Sequence, residues 1–163
     1  MLNHVKKFTL FILLGFVLTG CTHSVASEPD LIGEISAEQL LAQYPAFQAE
    51  YKTYQPSKEE LAAVAELQKD TLVVLFGTWC HDSQREVPRL LKTFDLSGLE
   101  VPKLTLVAVD RKKTDPLGLA KQYGLRYTPT FILLNDGKEL GRVIERPKTG
   151  LTQDLKALAA ATR

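Results

Sequence analysis

Residues 71–88 read Thr71-Leu72-Val73-Val74-Leu75-Phe76-Gly77-Thr78-Trp79-Cys80-His81-Asp82-Ser83-Gln84-Arg85-Glu86-Val87-Pro88. The first six are apolar and β-branched without alternation, the pattern of a central strand covered on both faces. From His81 to Phe94 the apolar spacing changes to that of a helix, and Pro88 inside it is expected to kink it. Cys80 therefore falls where a strand ends and a helix begins. The unpaired amides and partial positive charge of a helix start stabilise an anion such as a thiolate. Cysteines in such settings titrate at about 3.5–7.5, against about 8.5 when free.

Outward from this block the chain alternates. Leu104–Val109 is a second buried strand. Asp115-Pro116 opens a short helix that Gly124 ends. Thr130–Leu134 is a third strand, Asn135-Asp136-Gly137 a hairpin turn, and Lys138–Ile144 its antiparallel return. A last helix runs from Thr149 or Gly150 to about Ala161. Upstream, Ser36 caps a helix through Tyr44 with Glu38 and Gln39 in its first turn, and Pro45 interrupts it. The stretch to Gln55 is ambiguous. Pro56-Ser57 opens a helix to about Lys69, with Leu61, Val64, Ala65 and Gln68 spaced for one buried face. The order βαβα then ββα predicts an α/β fold: a central mixed four- to five-stranded sheet with helices on both faces.

The chain has 163 residues and a formal charge of +1, enough for one domain and too balanced for a nucleic-acid partner. Its first twenty residues stand apart. Lys6 and Lys7 precede an apolar run from Phe8 to Leu18, too short for the roughly 20 residues of a bilayer span. The run ends in Leu18-Thr19-Gly20-Cys21, which resembles a bacterial lipoprotein signal. That resemblance implies cleavage before Cys21, lipid on its sulfur and a bacterial cell-envelope location facing the periplasm. Thr22, where an Asp would retain the protein at the inner membrane, leans towards the outer membrane. The expected organisation is a signal peptide over 1–20, a lipidated tether over 21–35, a helical extension over 36–56 and the α/β domain over 57–163. Only two cysteines exist, so with Cys21 carrying lipid the domain holds one thiol, Cys80, and no internal disulfide.

Phe76–Pro88 resembles the thioredoxin active-site segment, in which Trp-Cys-x-x-Cys leads into a helix kinked by proline. Trp79, Cys80, Ser83 and Pro88 hold those places. Tyr123–Arg142, YGLRYTPTFILLNDGKELGR, resembles the family's second signature, whose Thr-Pro pair falls at Thr128 and Pro129. The resemblance covers roughly Glu59 to Ala160. It implies a thioredoxin-like fold, a cis-proline at Pro129 facing the sulfur, and substrate binding by Trp79, Thr128 and Pro129. Three departures accompany it. Ser83 replaces the second cysteine, Val74 stands where the family buries an acid, and Leu106 where a lysine partners that acid. Groups that serve release of a mixed disulfide are missing together.

The expected activity is thiol–disulfide exchange through Cys80 alone, a monothiol C-x-x-S site whose mixed disulfides an external thiol resolves. That suits isomerisation or deglutathionylation over net oxidation. Ser83 can donate a hydrogen bond to the thiolate across one helical turn, or simply cap the helix. His81 can tune the sulfur or merely be solvated, and Asp82 would oppose it. Asp82, Arg85, Glu86 and Arg89 are expected to form ordinary surface pairs, and Arg111-Lys112-Lys113 a solvated loop. The rival reading is a peptide-binding module around Trp79 and Pro129 without turnover. A third, a thiol peroxidase, lacks the Thr three residues before the cysteine, which is Gly77 here. The soft ligands Cys80, His81 and His23 are too few for a closed metal site. No metal and no cofactor are expected, the partners are protein or small-molecule thiols and disulfides, and the chain is expected to be a monomer.

Overall fold

A computed structural model describes residues 29–162. The signal peptide, Cys21 and His23 lie outside the described residues. The order is β1 (Gly33–Glu34), α1 (Ala37–Gln43), α2 (Pro45–Thr53), α3 (Lys58–Ala63), a 3-10 turn (Val64–Leu67), β2 (Thr71–Phe76), α4 (His81–Ser97), β3 (Lys103–Ala108), α5 (Leu119–Gln122), β4 (Thr130–Asn135), β5 (Lys138–Ile144) and α6 (Leu151–Thr162). The strands form one mixed sheet in the order β1-β3-β2-β4-β5. β2 and β3 are parallel; the other three pairings are antiparallel.

β2 occupies the span that its apolar run predicts, and five of its six residues are buried. The β4–β5 turn places Asp136 at φ 50° and Gly137 at φ 79°. Two successive positive φ values are what a tight hairpin demands, and Asp-Gly supplies them at little steric cost. Ser36 and Ser57 each close a capping box, with Gln39 and Glu60 respectively, which fixes the starts of α1 and α3.

Four details differ from the sequence reading. Asp115-Pro116 does not open α5: the helix starts at Leu119 after Gly118 at φ 74°, and Asp115 instead accepts the N–H groups of Leu119 and Ala120 at 3.2 and 2.7 Å. Pro45 interrupts α1 but is also the first residue of α2, where its missing N–H costs nothing. The helix from Ser57 tightens into the 3-10 turn at Val64, so the buried residues are Ala63, Val64 and Leu67, and Ala65 faces solvent. The stretch assigned to the tether over 21–35 ends inside the sheet: β1 pairs with β3, and Ile35 is buried and donates its N–H to Leu106 O at 3.1 Å.

The two faces of the sheet are covered unequally. α1, α2, the 3-10 turn, α4 and α6 bury one large cluster against Leu72, Val74, Phe76, Leu106, Phe131 and Leu133. The smaller cluster of Val73, Leu75, Val107, Ile132 and Leu134 on the other face meets Leu119, Tyr123 and Leu125, in and after α5. Helix α2 belongs to the main core, because Phe47 stacks edge-on against Phe76 with ring centres 5.8 Å apart. No helix among the described residues is long and apolar enough to cross a membrane.

Candidate active site

β2 ends at Phe76, and four residues carry the chain to α4. Gly77 is required because a Cβ there would lie 2.6–2.9 Å from the Trp79 indole. The indole packs back over the turn and donates its N–H to Val109 O at 3.1 Å, at the end of the neighbouring strand. The Cys80 N–H donates to Gly77 O at 3.0 Å, closing the turn, and Gln84 donates its side-chain amide to Thr78 O at 2.7 Å.

Cys80 is the N-cap residue of α4, with φ −93° and ψ 124°, and its side chain makes no capping bond. The sulfur is half-buried. Its thiol donates to the carbonyl oxygen of Thr128 at 3.1 Å. Thr128 immediately precedes Pro129, and the peptide bond between them is cis. Two segments that are 48 residues apart thus meet at one sulfur–oxygen contact. The elements beneath impose the meeting, because β2 and β4 are adjacent and Leu75 stands opposite Thr130.

Ser83 is fully buried, and its hydroxyl oxygen accepts the Gly77 N–H at 3.2 Å. The donation to Cys80 expected from the sequence is not among the hydrogen bonds of the described residues; the hydroxyl pins the strand-to-helix turn instead. Cys80 meets Thr128 and the adjacent Pro129, while the ring of Trp79 turns towards Gly77, Val109 and Arg111. His81 is exposed and lines, with Ala46, Glu50, Gln84 and Arg85, a cavity of about 280 Å³ between α2 and α4.

The charges around α4 are more ordered than the sequence suggests. Asp82 pairs with Arg85 at 2.9 Å and with Arg146, beyond β5, at 3.0 Å. Glu86 is buried rather than superficial, paired with Arg85 at 2.6 Å and Arg89 at 4.0 Å, while Arg89 also reaches Glu50 of α2 at 2.6 Å. Arg111 is not simply solvated. It lies over the Trp79 ring, 5.4 Å from its centre, and pairs with Asp30 at 2.9 Å. Val74 and Leu106 are register partners on adjacent strands, both buried, and form an apolar pair. No group of three or more His, Cys, Asp or Glu side chains among the described residues is arranged to hold a metal.

A mixed five-stranded sheet that sets a half-buried thiol at a helix start, against the carbonyl before a cis-proline, defines an α/β protein built around the sulfur of Cys80. A family model described as thioredoxin matches residues 36–157. The chain belongs to the thioredoxin family, whose general chemistry is thiol–disulfide redox. The match includes α1 and α2, which the sequence had set apart as an extension. Similar solved structures include a thioredoxin from Nicotiana alata, with 23% identity, a TM-score of 0.44, and 63% of this chain and 81% of that one covered. A thioredoxin f2 in complex with ferredoxin:thioredoxin reductase has 25% identity and a TM-score of 0.43, covering 62% and 84%. A mutant thioredoxin from Halobacterium salinarum has 23% identity and a TM-score of 0.40, covering 67% and 88%. No curated protein matches the chain.

Proposed function

We propose that Cys80 carries out monothiol disulfide exchange on exported substrates, in a protein held to the cell envelope by lipid on Cys21 and facing the periplasm. The carrying observation is the half-buried Cys80 sulfur at the start of α4, 3.1 Å from Thr128 O. In the exchange, the Cys80 thiolate attacks one sulfur of a substrate disulfide. A mixed disulfide forms, the substrate S–S bond breaks, and the second substrate sulfur leaves as a thiolate that takes a proton from water. Ser83 cannot attack the mixed disulfide. An external thiolate does so, forming a disulfide with the captured sulfur and returning Cys80. Disulfides are exchanged without net oxidation, which is the balance of an isomerase or of a deglutathionylating protein.

The test compares alkylation of Cys80 by iodoacetamide at pH 6 in folded and urea-unfolded protein with Cys21 replaced by Ser. A sulfur presented for exchange predicts faster reaction in the folded state and a mixed disulfide with added glutathione disulfide. Equal or slower reaction, together with no mixed disulfide when glutathione disulfide is added, would favour the binding-module reading.

A further inference from the structure

The chain enters the fold at the end of the sheet where Cys80 lies. β1 is antiparallel to β3 with Gly33 opposite Ala108, and Phe76 at the end of β2 is level with that same Ala108. Residues 29–32 therefore lie beyond the strand ends from which the Gly77–Cys80 turn emerges, and they are bonded to it. Leu31 donates its N–H to Thr78 Oγ1 at 3.1 Å. Asp30 pairs with Arg111, which covers Trp79. Tyr44 donates its hydroxyl to Pro29 O at 3.3 Å, securing the strap from the side of α1.

Exposed apolar side chains stand at both ends of α4: Leu96, Leu99 and Val101 at the far end, and four at the end where Cys80 lies. Ile32, Tyr127 and Ile144 are 49%, 53% and 44% exposed, and Leu117, in the connection leaving β3, is 56% exposed. Ile144 belongs here because it pairs with Thr130 at the start of β4. Exposed Lys112, Arg126 and Lys148 stand on the same connections. Apolar side chains interspersed with cations suit a bilayer with anionic headgroups. Seven residues lie between Cys21 and Pro29, and the eight steps from one to the other reach about 28 Å when fully extended.

We propose that the active-site end faces the bilayer holding the lipid on Cys21, so that Cys80 serves disulfides close to the membrane surface in preference to those free in solution. This rests on the anchor reading above. Trp79 is the one tryptophan of the chain and sits at that end, so it reports the orientation. The lipidated full-length protein is bound to phosphatidylethanolamine–phosphatidylglycerol vesicles bearing dansyl headgroups, and energy transfer from Trp79 is measured. The comparison is a Trp79→Phe, Leu99→Trp variant, which moves the fluorophore past the far end of α4; seventeen helical residues span about 25 Å. Transfer from Trp79 is expected to be at least twice that from residue 99. Equal or reversed transfer on vesicle-bound protein overturns the orientation and leaves the anchor standing. Absence of lipid mass on Cys21 overturns the anchor reading, and the orientation falls with it.

Discussion

Ser83→Cys tests the active-site geometry most directly, because it restores a second sulfur at a position the structure fixes. Ser83 is fully buried and its oxygen accepts the Gly77 N–H at 3.2 Å. Sulfur is a weak acceptor, so the reduced variant leaves that amide poorly satisfied, at a cost of about 1–3 kcal/mol. A bond between residues 80 and 83 closes a loop of about four residues, and loop-closure entropy then contributes about 2 kcal/mol. The oxidised variant should be about as stable as the parent, and the reduced one about 2 kcal/mol below it. With a urea slope of about 1–3 kcal/mol per M, the two forms should differ in midpoint by roughly 1 M. Urea melts with and without dithiothreitol, followed by Trp79 emission in a Cys21→Ser background, measure the gap. Thiol titration should show both sulfurs consumed on oxidation, and the variant should gain disulfide reductase activity. If mild oxidation of the folded variant leaves both thiols free, residue 83 is not beside Cys80 and the description of the site is wrong.

Gly77→Ala puts a methyl group within 2.6–2.9 Å of the indole, so Trp79 must leave its place and its bond to Val109. A shifted emission maximum and about 1–3 kcal/mol of lost stability should result, and unchanged emission would contradict the packing. Glu86→Ala strips Arg85 and Arg89 of a buried carboxylate; both arginines are partly exposed, so the cost should be about 1–2 kcal/mol in urea unfolding. Tyr51 is pushed up to about 12 by its hydrogen bond to Asp95, with burial and the Asp95 charge adding to it. The unfolded chain gives up this proton near 10, earlier than the folded protein, so the Tyr51 contribution is whole below pH 10 and lost as pH rises towards 12. Tyr51→Phe should flatten that alkaline fall, and tyrosinate absorbance should lose a late-titrating component.

What the sequence disclosed and what it hid divide along sequence separation. The run from Thr71 to Phe76, the Asp136-Gly137 turn and the Ser57 cap carry their signals within a few residues, and each was legible. Pro45 misled only halfway, because the same ring that ends one helix can begin the next. β1 was hidden by its brevity, since two residues have no periodicity and only β3 defines them as a strand. The buried face of α3 was misjudged because the chain tightens at Val64 and the helical spacing ceases to apply. The meeting of Cys80 with Thr128 was legible through family resemblance rather than through any local pattern. The bonds Ser83–Gly77, Asp30–Arg111 and Asp82–Arg146 had no sequence signal: each depends on where strands and loops bring groups together. Arg111 and Asp30 are 81 residues apart, and a charged residue in a polar loop looks the same with or without a partner.

The facing of Val74 and Leu106 across β2 and β3 has a consequence for proton traffic. Hydrocarbon takes up no hydrogen ion and releases none. For the exchange proposed above, this part of the sheet can neither prime an attacking sulfur nor quench a departing one. Those duties fall to water, buffer or the exposed His81 next to Cys80 in the chain. Where buffer serves, turnover should quicken with its concentration at fixed acidity, a dependence that an interior carboxylic acid would suppress.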